Sequence, residues 1–181
     1  MSDAVVIDPN VAQRRAADPS ASVWVSASAG SGKTKVLTDR VLALLLSGTA
    51  AHRILCLTFT KAAAAEMANR ISRELAIWTI AEPQDLTDRL SRLLGTVPNL
   101  ALTRTARRLF AEVLDTPGGL KIQTIHSFCE SLLARFPVES GITPQTQVMD
   151  ERSAAELMRT ARDAVLMSSK NHPIIAEALD E

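Results

Sequence analysis

The stretch Ser28-Ala29-Gly30-Ser31-Gly32-Lys33-Thr34 holds the densest chemistry in this chain. It follows the apolar residues Val23-Trp24-Val25 and opens a segment whose apolar positions, Val36, Leu37, Val41, Leu44 and Leu45, recur at helical spacing. Strand, glycine loop and helix in that order describe a phosphate-binding loop, or P-loop. Small residues let backbone N–H groups turn inward around an anion, and the positive end of the following helix faces the same point. A lysine in this place reaches the outer phosphates of a nucleotide and a threonine hydroxyl ligates Mg²⁺, the roles open to Lys33 and Thr34. Ala27 stands where the strict pattern has its first glycine, so the flanking strand and helix carry the reading rather than the pattern. Alone, the same string would also describe a flexible turn with a solvated lysine.

Two further strand-to-helix junctions carry polar groups. In the first, Leu57-Thr58-Phe59-Thr60-Lys61 runs into four alanines, Ala62 to Ala65, then Glu66 and Met67. The second is Ile122-Gln123-Thr124-Ile125-His126-Ser127-Phe128-Cys129. Hydroxyls and helix-start N–H groups at the carboxyl edge of a parallel sheet suit a phosphodiester backbone. An alanine-rich helix start equally suits close packing against protein. His126 and Ser127 do not make a catalytic pair, because adjacent helical residues do not face each other and no placed carboxylate accompanies them. A lone histidine here is also an ordinary hydrogen-bonding group at a helix terminus. Phe59 and Phe128 are expected to be core residues that fix these loops rather than platforms for bases.

The elements that must position these groups follow from punctuation and periodicity. Residues Asn10 to Ala17 predict a short helix, with Asp18-Pro19-Ser20 as a breaker, and Ser47-Gly48 ends the helix that follows the glycine loop. Arg53 to Phe59 reads as a buried strand, and a helix from Lys61 aligns Met67, Ile71, Leu75 and Trp78 on one face. Between Pro83 and Asp115 two apolar stripes, Leu86, Leu90, Leu93, Leu94 and Leu102, Ala106, Leu109, Phe110, Val113, are separated by Gly95 to Pro98 and predict a helical hairpin. Thr116-Pro117-Gly118-Gly119 returns the path to a short strand, Leu120 to Thr124. A helix over His126 to Phe136 and another carrying Leu157, Met158, Val165 and Leu166 complete the chain. Strands followed by helices predict an α/β fold with a parallel sheet.

At 181 residues, 46% hydrophobic and 22% charged, the composition is that of a folded globular chain. Twenty basic and twenty acidic side chains give zero formal charge, so any nucleic-acid site must be a local patch. Cys56 and Cys129 lack metal-ligand spacing and are expected to be core thiols of a reducing compartment. No run approaches the length of a membrane span, and the N-terminus has no basic, apolar leader pattern, which predicts a cytoplasmic protein.

Together, Ala27 to Thr34, then Thr58-Phe59-Thr60-Lys61 with Ala63, Ala64, Glu66 and Met67, then Thr124-Ile125-His126-Ser127-Phe128 resemble motifs I, Ia and Ib of superfamily 1A helicases, the UvrD/Rep/PcrA group. The alanine-first loop, the helical stretch before Thr124 and the run Phe136-Pro137-Val138-Glu139-Ser140-Gly141-Ile142 leading to Val148-Met149-Asp150-Glu151 are most similar to its AddA and RecB branch. The resemblance implies a P-loop NTPase fold: a RecA-like parallel sheet with helices on both faces. It implies a partial domain 1A over residues 1–149 with a helical insertion at 80–116, and the start of a helical subdomain 1B over 150–181. Implied cofactors are ATP and Mg²⁺, with Gln13 reading the adenine and Ala27, Ser28, Ala29, Gly30, Ser31, Gly32, Lys33 and Thr34 around the phosphates. Lys33 and Thr34 are then the catalytic pair, Thr34 also holding the metal, while Thr58, Thr60, Lys61, Thr124 and His126 fall on single-stranded DNA. Gln13 taken by itself also fits a plain surface glutamine, the lesser of the two readings.

The implied activity is a 3′-to-5′ DNA helicase with an attached nuclease, acting in double-strand break repair on single strands and duplex ends, nucleoid-associated and paired with an AddB-type subunit. Such an ATPase needs a buried strand ending in Asp-Glu to hold Mg²⁺ and polarise water. Asp150-Glu151 follows Gln145-Thr146-Gln147-Val148-Met149, too polar for that strand, so the chain is expected to be the N-terminal part of a larger motor and poorly active alone. Two other readings stay open: a small P-loop kinase with Arg104, Arg107 and Arg108 as lid arginines, and a non-catalytic nucleotide- or DNA-binding module.

Overall fold

Met67, Ile71, Leu75 and Trp78 recur once per helical turn, and such a stripe is stable only when covered. In the computed structural model, which describes residues 9–26, 28, 30, 32–143, 146 and 148–167, all four lie buried on helix α3 (Lys61–Ile80). Helices α2 (Lys33–Leu46), α4 (Pro83–Leu94) and α5 (Leu100–Asp115) cover that stripe with Leu42, Leu45, Leu86, Leu90, Ala106 and Leu109. Ile71 and Leu90 are completely inaccessible to solvent. Burying side chains of this size contributes about 1.5–3 kcal/mol each, so this helical cluster is the main source of stability.

Two strands, β1 (Leu55–Thr58) and β2 (Lys121–Thr124), pair in parallel beside the helices. Their register sets Leu55 opposite Lys121 and Thr58 opposite Thr124, so both strands end at one edge. The connection between them consists of α3, α4 and α5, as expected of the helical hairpin. Gly95 ends α4 in the left-handed conformation with φ 74°, and the Asn99 side chain accepts from Leu102 N at 2.8 Å to start α5. Helix α1 (Pro9–Ala17) precedes these elements, and a short 3₁₀ turn at Ala51–Arg53 leads into β1. Helices α6 (Ile125–Arg135), α7 (Pro137–Ser140) and α8 (Glu151–Met167) follow β2.

The chain divides into two compact units, Met1–Cys129 and Glu130–Glu181, with the division falling inside α6. In the second, Asp150 caps α8: its carboxylate accepts from Ser153 N at 2.9 Å and Arg152 N at 3.0 Å. These hydrogen bonds, those to the Ser153 amide and hydroxyl foremost, hold its carboxyl below the ordinary aspartate range. Asp150 is thus a helix cap, in keeping with its polar approach.

The structure corrects four expectations. The strand read as buried, β1, has Leu55 and Leu57 43% and 44% exposed, because among the described residues it has a single neighbouring strand. Residues 22–26, which include Val23, Trp24 and Val25, form no strand, and Trp24 is 93% exposed. A strand exists by pairing, and among the described residues the ladder joins only β1 and β2. The fold is therefore mostly helical with a small parallel sheet. Phe59 is 85% exposed rather than in the core, lying in the two-residue connection between β1 and α3. Cys129 is also exposed, whereas Cys56 is half-buried on β1 and desolvation pushes its thiol pKa up.

Candidate nucleotide and nucleic-acid site

The head of α2 is built from glycine conformations. Gly30 and Gly32 have φ 78° and 86°, where residues with a Cβ are strained. Gly32 occupies the N-cap of α2 with no side-chain cap, so the helix start presents backbone N–H groups without a capping oxygen of its own. Lys33 folds back across the loop and its Nζ donates to the Ser28 carbonyl at 2.6 Å. Thr34, the next residue, is half-buried, and its carbonyl accepts from the Thr38 hydroxyl at 2.9 Å. Ala27, Ala29 and Ser31 lie outside the described residues.

Gln13 is brought to this loop. A Cβ placed on Gly32 would lie 3.4 Å from Gln13 Nε2, so α1 lays its glutamine amide against the N-terminus of α2. The arrangement combines an amide that can read a base, an uncapped helix start and an ammonium within one loop.

The second cluster lies at the shared end of the strands. Thr58 and Thr124 are direct register partners, yet both hydroxyls are engaged in building the turns. Thr58 Oγ1 donates to the Thr60 carbonyl at 2.9 Å, and Thr60 Oγ1 caps α3 by accepting from Ala63 N at 3.1 Å. Thr124, buried, caps α6 by accepting from Ser127 N at 3.1 Å and shares a 2.9 Å hydrogen bond with the Ser127 hydroxyl. Lys61 and His126, one step beyond these caps, are exposed. Among the described residues no cluster of His, Cys, Asp and Glu could hold a metal ion, and no helix is long and apolar enough to cross a membrane.

Residues 9–180 match the UvrD/REP helicase N-terminal domain. The chain belongs to that family. It is similar to an ATP-dependent helicase/nuclease subunit of Lactobacillus gasseri at 36% identity over 142 residues, to that of Lactobacillus johnsonii at 37% over 137, and to that of Desulforudis audaxviator at 36% over 139. These matches take in 78%, 76% and 75% of this chain and 10% of each relative. The chain thus spans about a tenth of the length of the curated relatives it matches.

Within this helicase N-terminal domain, sequence reasoning missed Arg40 altogether and missed the structural roles of Ser127 and Arg107. Arg40 donates to the carbonyls of Ala16, Asp18 and Ala21 at 3.2, 2.6 and 2.6 Å, tying the end of α1 and its breaker to α2. Its partners are backbone atoms about 20 residues away, and such bonds leave no residue-type pattern to read. Ser127 completes the Thr124 cap, a signal that was legible in the Thr-x-x-Ser spacing. Arg107 closes the C-terminus of α3 by donating to Thr79 O and Ala81 O at 3.0 and 2.8 Å. Arg108 pairs with Glu112 on its own helix. Arg107 is thus engaged at the end of α3 and Arg108 in an exposed pair within α5, so of the three arginines named for a kinase-type lid Arg107 serves to join two helices.

Proposed function

We propose that this chain is the ATP-binding N-terminal part of a 3′-to-5′ DNA helicase carrying a nuclease, which acts in double-strand break repair together with an AddB-type subunit. The observation that carries the reading is the close approach of the Gln13 amide to Gly32 at the uncapped start of α2, beside a lysine that already spans the loop. An adenine at Gln13 and phosphates at residues 27–34 fit this donor set, and Thr34 is the hydroxyl for Mg²⁺. The nucleotide supplies a hydrolysable phosphoanhydride. Lys33 exchanges the Ser28 carbonyl for phosphate oxygens and neutralises charge that grows on them.

For DNA, the engaged hydroxyls of Thr58, Thr60 and Thr124 shape the turns, while Lys61, His126 and the turn backbone make the contacts with a single strand. The finer architecture proposed is a RecA-like domain 1A over 1–149 with the insertion at 80–116, and the start of subdomain 1B from 150. Parallel β1 and β2 with half-exposed Leu55 and Leu57 support a sheet that continues into further strands. The test is calorimetric titration of Mg²⁺·ATP and Mg²⁺·ADP into this chain and its Lys33→Ala variant. Binding lost in the variant, with negligible turnover in either protein, supports the reading. Equal binding by both, or DNA-independent turnover abolished by Lys33→Ala, overturns it.

A further inference from the structure

A cleft of about 740 Å³ opens among α1, α2, α3 and α4, and cations reach it from all four helices. Arg14 stands on α1, Lys35 on α2, Arg70 and Arg73 on α3, and Arg89 and Arg92 on α4; Asp39 and Glu74 are the only carboxylates in its lining among the described residues. In a chain of zero formal charge this is a local concentration rather than a general cationic surface. Three of the cations are neutralised: Lys35 by Asp39 at 2.6 Å, Arg70 by Glu66 at 2.8 Å, and Arg89 by Asp85 and Glu74 at 3.0 and 3.3 Å. Among the described residues, Arg14, Arg73 and Arg92 have no ion pair. Among the described residues, three guanidinium groups from three separate helices therefore share one concavity without a carboxylate partner, Arg92 donating instead to the Asp88 carbonyl at 3.2 Å.

The placement is built into the backbone. Gly95, left-handed at the end of α4, leaves room for the Arg14 stem, since a Cβ there would sit 3.3 Å from Arg14 Cδ. Beneath the arginines two of the three apolar lining residues are closed off: Leu42 and Trp78 are 2% and 1% exposed, the Trp78 indole N–H donates to Glu74 at 3.1 Å, and Leu93 alone is half-buried. Trp78, the one ring in this lining, offers no open face for stacking a base, and a single half-buried leucine is a small apolar anchor for a peptide. Planar guanidinium forks around a wide opening instead suit several phosphates in series. Arg70 and Arg73 stand ten or more residues beyond Thr60 on α3, roughly 15–20 Å along the helix. The cleft is therefore separate from the strand-end edge.

We infer that this cleft is a second nucleic-acid contact, which grips the phosphodiester backbone of DNA without reading bases. It rests on the proposed DNA function but not on the nucleotide site. The test compares the full chain with an Arg73→Glu/Arg92→Glu variant by anisotropy of a labelled 30-base single strand and a 30-base-pair duplex across a salt series. Both arginines are exposed, and Arg73→Gln/Arg92→Gln serves as the gentler variant where charge reversal impairs folding, judged by circular dichroism. The expected result is DNA binding weakened about tenfold or more, with the salt slope reduced by about 1.4 on the single strand and about 1.8 on the duplex for two lost phosphate contacts. Binding of Mg²⁺·ATP stays unchanged. The same affinity and slope in a folded variant as in the parent chain would overturn the inference, as would an effect confined to binding of polyglutamate, which would assign the cleft to an acidic polypeptide. Failure of Lys33→Ala to affect ATP binding would instead count against the proposed function and leave this comparison standing.

Discussion

Lys33 and Gly32 divide the work of the loop between charge and shape. In the proposed nucleotide site Lys33→Ala would remove a cation, and charge-assisted hydrogen bonds to phosphate are worth about 1.5–3 kcal/mol, so ATP affinity is expected to fall roughly 10- to 150-fold by calorimetry while the thermal unfolding midpoint stays close to that of the parent chain. The two thiols offer an independent check on burial. Burial keeps Cys56 protonated well above neutral pH, whereas Cys129 is exposed, so iodoacetamide at neutral pH should label Cys129 first by mass spectrometry. Preferential labelling of Cys56 would contradict the packing of β1. At this scale the sequence was most legible where backbone geometry demands a residue type: positive φ at Gly30 and Gly32 is a requirement that glycine announces. Exposure was less legible, because Phe59 and Trp24 have the composition of core residues and their surroundings depend on neighbours distant in sequence.

Among the elements, helix faces were readable because burial and the 3.6-residue period coincide, as on α3, α4 and α5. The clamps between elements were not, since Arg40 and Arg107 hold carbonyls that any residue supplies. Arg40→Ala leaves three carbonyls without that donor and is expected to cost about 1–3 kcal/mol in urea unfolding. It should also weaken ATP binding, because the α1 segment carrying Gln13 loses its tie to α2. A loss of stability with unchanged ATP affinity would show that Gln13 does not depend on the clamp. Thr124→Val removes the α6 cap and should cost about 0.5–2 kcal/mol in the same assay. The cap at α8 responds to acid. The Asp150 carboxyl is depressed by its hydrogen bonds in the folded chain, so the cap is intact at neutral pH and is lost as pH falls through that depressed value. The amide resonances of Arg152 and Ser153 should therefore titrate with a midpoint below the ordinary aspartate range, and a midpoint at or above it would remove the cap from consideration.

For the molecule as a whole, stability and site occupy different places: the buried cluster joins α2 to α5, while the polar groups collect at helix starts and strand ends. Leu90→Ala should cost about 2–5 kcal/mol with little direct effect on nucleotide contacts, measured as a shift in urea midpoint at unchanged ATP affinity in the folded state. The register of the sheet carries a kinetic consequence. Thr58 and Thr124 are partners although 66 residues separate them, and all of α3, α4 and α5 intervenes. Closing so long a span of disordered chain is entropically costly, whereas the local helical contacts form early and bring its ends near each other. The strand-end edge is thus the late-forming part of this unit: during refolding, helical ellipticity should recover before amide protons of β1 and β2 become protected from exchange, and a chain emerging from the ribosome acquires its helical core before its strand-end edge.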